Sequence, residues 1–265
     1  MKRCFDGRVV VVTGASSGIG ADLAVYLSGL GARPVLVARR ADLLQAVAKA
    51  CEDAGAKPLV LPADVASRGD MEHVRDTVVS TCGGADIVIA NAGVGGLNPA
   101  HKFDLDIHRR TVEVNVLGMA NTLVPFIPHM IQRGSGHLVG ISSLAAFRGL
   151  PAAASYSSTK AAQGIFLESL RVDLKPRGIA VTSIHPGFVV SPMTDHHDFA
   201  MPFRIPVRES SRLIARAIAR RKPVYLYPWQ MRLLTWFNRK LPPFLFDWLM
   251  PRVSGQRSDV DPKML

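Results

Sequence analysis

Tyr156 and Lys160 bracket the run Tyr156-Ser157-Ser158-Thr159-Lys160, a spacing that puts both side chains on one face of a helix. A free phenol ionises near ~10, too high to exchange protons readily at neutral pH. A nearby ammonium group, together with an oxidised nicotinamide ring, would favour the phenolate and bring that value down. A hydroxyl such as Ser143, thirteen residues earlier, could hold a carbonyl oxygen against the phenol. Those parts make a hydride-transfer site. By themselves Tyr156 and Lys160 could equally be an ordinary exposed helix pair, so the reading depends on whether the chain also provides a seat for a dinucleotide.

Such a seat is written at the start. Val9-Val10-Val11-Val12 reads as a strand buried on both faces, and Thr13-Gly14-Ala15-Ser16-Ser17-Gly18-Ile19-Gly20 follows it. A helix pattern opens at Gly18, with Leu23, Leu27 and Leu30 on one side. The glycines permit a sharp turn and close approach of a ligand, and the helix N-terminus offers free N–H groups to a pyrophosphate. Gly14, Ser16, Ser17, Gly18, Ile19 and Gly20 form a Gly-x-x-x-Gly-x-Gly variant of the dinucleotide fingerprint. Strand two ends in Arg39-Arg40 instead of an acid, nineteen residues after Gly20. An Arg there pairs with a 2′-phosphate, so Arg39, helped by Arg40 or Ser16, points to NADP(H) over NAD(H). The bland alternative is a solvated pair opening a helix. Asp64, followed by Val65, would meet the adenine edge or cap the next helix. Asn91-Ala92-Gly93 closes strand four with small residues at the carboxyl edge of the sheet, where ligands bind in this architecture.

The elements that must position these groups alternate regularly. Strands are expected at Pro34–Ala38, Lys57–Leu61, Ala85–Ala90, His137–Ile141, Ala180–Ile184 and Val224–Tyr227 after the first at Val9–Val12. Helices are expected at Ala41–Ala54, Met71–Cys82, Thr111–Gln132 (kinked or shortened by Pro125 and Pro128), Ser157–Leu174 and Glu209–Arg221. That order predicts one α/β domain over residues 1–265, a doubly wound, Rossmann-like parallel sheet of about seven strands with helices on both faces. The chain has 265 residues, 48% hydrophobic and 20% charged, consistent with a substantial core. Cys4, Cys51 and Cys82 stand at no ligand-like spacing, which argues against disulfides or zinc and fits a reducing cytoplasm. No secretory signal and no spanning helix are expected.

Taken together, the motifs make the chain resemble the short-chain dehydrogenase/reductase family. The matching residues are Thr13 to Gly20, Asn91-Ala92-Gly93, Asn115, Ser143, Tyr156, Lys160 and Pro186-Gly187, in the expected order, and the likeness covers roughly residues 5–228. The resemblance implies that Tyr156 is the general acid in reduction and general base in oxidation, and that Lys160 binds the nicotinamide ribose and lowers the Tyr156 pKa. It implies that Ser143 polarises the carbonyl and that Asn115 holds a water linking Lys160 to solvent. Pro186, Gly187, Val189 and Ser191 (or Thr194) would lie along the nicotinamide. Leu144, Phe147, Leu150, Phe188, Val189 and Met193 would border the substrate, favouring an apolar ketone, aldehyde or secondary alcohol. A substrate lid is expected over about 188–210. His196-His197 falls within it and reads as lid surface, not a metal site. Relatives usually form homodimers or homotetramers.

The charge is concentrated late. The formal net charge is +11, yet twelve Lys/Arg against Glu209 and Asp247 fall between Arg204 and Arg257. Arg208, Arg212, Arg216 and Arg220 recur every fourth residue. Beyond strand seven an extension over about 228–252 mixes Trp229, Trp236 and Trp248 with Leu, Phe and Lys/Arg, the composition of an interfacial helix. Peripheral membrane contact through 229–250, a subunit interface and a cap over a hydrophobic channel are the competing explanations; nucleic acid is not expected. A protein with this extension could also be a non-catalytic NADP(H)-binding protein that docks a membrane or partner. The intact Ser143–Tyr156–Lys160 set favours an enzyme.

Overall fold

The computed structural model describes residues 1–191 and 201–253. β1 (Val9–Thr13) is fully buried and lies in the middle of a seven-stranded sheet. The other strands are β2 (Arg33–Ala38), β3 (Leu59–Pro62), β4 (Ile87–Ala90), β5 (Gly136–Ile141), β6 (Ile179–Pro186) and β7 (Val224–Tyr227). Their spatial order is β3-β2-β1-β4-β5-β6-β7, and every pairing is parallel. Val11 of β1 stands opposite Val35 on one side and Val88 on the other.

Successive strand residues point to opposite faces, so two separate cores form. Val10, Val12, Leu36 and Ile89 face one, with Leu23 and Leu27 of α2 (Gly18–Ser28), Leu44 of α3 (Ala41–Asp53) and Ile214 of α9 (Val207–Ala219). Val9, Val11, Val35 and Val88 face the other, with Met71 and Val74 of α4 (Arg68–Cys82) and Leu167 of α8 (Ala154–Leu174). Strand order reverses between β1 and β4, where the connections leave toward opposite faces. The crevice at their carboxyl ends is where open α/β sheets bind ligands.

Several boundaries differ from expectation. α2 ends at Ser28, so Leu30 lies beyond it, still packed against the first core. β3 begins at Leu59 instead of Lys57, and β6 runs on to Pro186. A one-turn helix, α1 (Lys2–Phe5), precedes the sheet and buries Phe5. The long helix begins at Leu105, not Thr111, because Asp104 accepts from the amides of Asp106 and Ile107 (2.7 and 3.2 Å). It proceeds as α5 (Leu105–Val112), a π-helical turn (Glu113–Leu117), α6 (Gly118–Leu123), a 3₁₀ turn at Pro125 and α7 (Ile127–Arg133). This 29-residue stretch is long and apolar enough to cross a membrane by composition alone, against the expectation that none would be. Its inward face explains the apolarity: Val114, Met119, Leu123, Phe126 and Met130 fill the second core. After β7 come α10 (Trp229–Lys240) and α11 (Pro243–Val253).

Candidate active site

The glycine-rich loop after β1 is held by close contact. Gly14 has φ +66°, and a Cβ there would stand 2.8 Å from Ala92 Cα. A Cβ on Gly20 would reach within 2.4 Å of the Gly14 carbonyl oxygen, so Gly20 permits packing behind the loop and does not itself line the cleft. Asn91 Nδ2 donates to Thr13 O at 3.0 Å and its backbone N–H to Thr13 Oγ1 at 3.2 Å, stitching the ends of β1 and β4 together. Ser17 is the N-cap of α2 but makes no capping bond with its side chain, leaving the first amides of the helix free for a phosphate.

Beyond the loop the two arginines make different contacts. Arg40 Nη2 donates to Ser16 Oγ (2.9 Å) and Ser17 Oγ (3.1 Å), whereas Arg39 turns to Asp64, with Nη1 3.8 Å from Oδ2. Asp64 neither caps α4 nor stands alone. Its Oδ1 accepts from Ala66 N at 2.9 Å, its Oδ2 faces Arg110 at 3.4 Å, and α4 is capped by Ser67. Arg110 was not expected here. It sits on α5, outside the helix predicted from sequence by a single residue, and no local pattern marks it.

Behind the half-buried Ser143 and Tyr156 lies a buried network. Ser142 Oγ donates to Lys160 O at 2.8 Å, and Lys160 Nζ donates to Ile141 O at 3.1 Å and to Gln163 Oε1 at 3.0 Å. Gln163 Nε2 in turn donates to Asn115 O at 2.6 Å. The Asn115 side chain accepts from Val94 N (2.8 Å) and donates to Val94 O (2.9 Å) and Thr159 Oγ1 (3.0 Å). Asn115 and Lys160 are linked through the Gln163 amide. The Tyr156 phenol hydrogen-bonds Ser143, which pulls its pKa down, but burial outweighs this and raises it above 10. Burial also lowers Lys160 from 10.5 to about 7. Lys160 Nζ lies 5.5 Å from the centre of the Tyr156 ring. Among the protein's own groups, desolvation is the largest influence on both.

His185, just before Pro186, was also missed. Burial lowers it to about 4, so it is neutral at pH 7. Its Nδ1 lies 3.1 Å from the Ser143 carbonyl and Nε2 2.7 Å from Ser183 Oγ. Since a carbonyl only accepts, the proton resides on Nδ1, and the ring braces the backbone that carries the Ser143 hydroxyl.

These groups converge on a cleft of about 280 Å³. Gly14, Ser16, Ser17, Gly18, Ile19, Arg39, Arg40, Asp64, Val65, Asn91, Ala92, Gly93, Ser143, Tyr156, Lys160, Pro186, Gly187, Val189 and Ser191 line it, as does Arg110. Asn115 lies behind the wall. The residues named for the substrate stand at different depths. Leu144 is buried in the interior, Leu150 and Phe188 are half-buried, and none of the three lines the cleft. Phe147 packs between the His185 ring (4.8 Å between centres) and the Arg239 guanidinium (5.2 Å). Met193, Thr194, His196 and His197 lie outside the described residues. Among the described residues no cluster of three His, Cys, Asp or Glu could hold a metal.

Residues 8–200 match the family model described as short chain dehydrogenase. An uncharacterized oxidoreductase of Myxococcus xanthus is 41% identical over 241 residues, covering 91% of this chain and 95% of the relative. The fold is similar to that of L-sorbose reductase from Gluconobacter frateurii, solved with NADPH and L-sorbose, at 27% identity and TM-score 0.78, covering 86% of this chain and 97% of that one. It is also similar to 3-ketoacyl-(acyl-carrier-protein) reductase from Brucella melitensis, solved with NADH, at 25% identity and TM-score 0.76, covering 83% and 96%.

Proposed function

The chain belongs to the short-chain dehydrogenase family, an oxidoreductase built to bind a nicotinamide cofactor, and we propose that it uses NADP(H) to interconvert a carbonyl and an alcohol on a hydrophobic small molecule. The observation that carries this reading is the convergence of Ser143, Tyr156 and Lys160 on the cleft that also holds the free amino end of α2.

The pocket's own geometry fits a dinucleotide. Gly14 lets the loop close on Ala92, and Gly18 leaves open space where only Ser191 Cβ would approach an added Cβ, at 3.6 Å. Arg40, with Ser16 and Ser17, would hold a 2′-phosphate, because a guanidinium and two hydroxyls are already gathered there. The α2 amides would take the pyrophosphate, Asn91-Ala92-Gly93 and Lys160 the nicotinamide ribose, and Pro186, Gly187, Val189 and Ser191 the ring. When bound, the nicotinamide supplies the hydride for reduction or accepts it in oxidation.

Everything else falls to the chain's own side chains. Ser143 and Tyr156 hold the carbonyl oxygen between two hydroxyls. Tyr156 gives its proton to that oxygen in reduction and takes it back in oxidation. Lys160, near 7 by burial, exists in both charge states at neutral pH and can follow the phenol's proton. Gln163 orients it by accepting one of its protons while anchored on Asn115 O. Val189 and Val94 supply apolar surface in the cleft, which supports a hydrophobic substrate. Exposed Leu117 and Val124 on the long helix and Ile165 and Val172 on α8 give the aliphatic surface that a homodimer or homotetramer would cover.

The test is NADPH consumption, followed at its absorbance band with apolar ketones and aldehydes and compared with NADH. Turnover with NADPH favoured is the expected result. Tight NADPH binding with no turnover on any carbonyl overturns the reading.

A further inference from the structure

α10 carries its large apolar side chains on the wrong side for a core helix. Met231 and Thr235 are buried, while Trp229, Leu233, Trp236 and Phe237 are 70, 50, 51 and 55% exposed. Their spacing of four, three and one residues places all four on one face, opposite the buried one. Arg232 and Arg239 flank that stripe and Lys240 ends it, its Nζ 4.3 Å from the centre of the Trp236 indole. α11 repeats the arrangement. Phe244 and Trp248 lie one turn apart at 76 and 57% exposure, with the Arg252 guanidinium 4.4 Å from the Trp248 ring. Over residues 229–253 four Lys/Arg stand against the one acid, Asp247.

The inner side of these helices is fastened to the rim of the cleft. Arg148 Nη1 donates to Leu241 O at 3.1 Å and its guanidinium covers the Phe246 ring at 4.1 Å. Arg239 covers Phe147, and a Cβ on Gly187 would come within 3.3 Å of Met231 Cγ. The exposed stripe is thus tied to the segments that carry Ser143 and Gly187.

A second copy of this chain fits the face poorly. A two-fold contact through this face would bring one copy's cationic patch of Arg232, Arg239 and Lys240 against the same patch of the other, which like-charge repulsion opposes. Indoles and phenyl rings flanked by cations instead match the headgroup layer of an anionic bilayer, with ring faces at the acyl boundary and cations among the phosphates. We propose that Trp229–Val253 docks this protein on an anionic phospholipid surface and brings the mouth of the cleft against it. The docking stands on its own observations. Its consequence, that the carbonyl substrate is drawn from the bilayer, rests on the reductase reading.

All three tryptophans of the chain, Trp229, Trp236 and Trp248, lie on this segment, so intrinsic emission reports on it alone. The full chain is mixed with vesicles of phosphatidylcholine, with or without phosphatidylglycerol, and followed by sedimentation and emission. Sedimentation and a blue shift with the anionic vesicles, both weakened by salt, are expected. Trp236→Ser with Phe237→Ser, and separately Arg232→Glu with Lys240→Glu, should each lower vesicle affinity by on the order of tenfold or more. All four sites are exposed, and turnover of a water-soluble ketone checks that the variants are folded. Absence of sedimentation and shift, undiminished binding by both variants, or a concentration-dependent shift without vesicles would each overturn the proposal. Turnover by the parent chain without vesicle binding sinks the docking alone. Docking retained without turnover sinks the reductase reading alone.

Discussion

The two ends of the cleft are built by opposite means. At the reacting end, Lys160, Gln163 and Asn115 are almost wholly buried, and each donor meets an acceptor in a chain from Ile141 through to Val94. At the outer end, Arg39, Asp64 and Arg110 hold 61, 31 and 40% side-chain exposure, and the ion pairs among them run from 3.4 to 3.8 Å. Exposed ion pairs are worth roughly 0–1 kcal/mol because water screens them and long side chains lose freedom. A buried donor left unpaired costs about 1–3 kcal/mol. The first end therefore depends on every member being present, and the second can be retuned one residue at a time.

The sharpest way to break that contrast is Tyr156→Phe. It should lower kcat by roughly a thousandfold while NADPH binding, measured by fluorescence titration, stays within about twofold. Appreciable turnover would place the proton donor elsewhere. Next comes acid titration. His185 and His137, the latter 2.7 Å from Thr182 Oγ1, are both lowered by burial from 6.5 to about 4. Between those values the unfolded chain binds protons that the folded chain refuses, so stability falls as pH drops through this window. The full effect is on the order of 3 kcal/mol for each ring. A plot of Tm against pH should be flatter for His137→Gln than for the parent, and parallel curves would refute the assignment. Gln163→Leu strands the Asn115 carbonyl and one Lys160 proton, and should cost about 2 kcal/mol of stability. It should also move the limb of the pH–kcat profile that reports Lys160. A change in Tm with an unmoved profile would leave Gln163 a packing residue. The smallest effects belong to the exposed end. Arg40→Ala should raise KM for NADPH by about tenfold and leave that for NADH alone, and Arg39→Ala should change either by only about twofold. A larger loss at Arg39 than at Arg40 would reverse the roles drawn from the geometry.

The parallel sheet was legible because strands buried on both faces must be near-continuous apolar runs, as Val9 to Val12 and Ile87 to Ala90 are. That the glycine-rich loop, Tyr156 and Lys160 line one cleft was legible because each motif has a fixed spacing along its own element. What escaped depends on tertiary convergence. Arg40 reaches Ser16 and Arg39 does not, because Arg40 is the N-cap of α3, where the chain turns out of β2. Arg110 belongs to a helix whose first turn exposes Leu105 and Ile107, so no inward stripe announced it. Gln163 and His185 read as ordinary helix and strand residues until Asn115 and Ser143, far away in sequence, are brought beside them. The contacts of Phe147 with His185 and Arg239 likewise had no local signal, since both partners are distant in sequence.

Strand β5 and helix α8 are bolted together at neighbouring points, with Ser142 Oγ on the Lys160 carbonyl and Lys160 Nζ on the Ile141 carbonyl. Neither rotation of the helix about its axis nor a slip along it can occur without parting both bolts. The bearing of Tyr156 on Ser143 is consequently a property of the resting scaffold, present before any molecule enters. Surrounding loops can diverge toward new substrates while the reactive trio keeps its alignment.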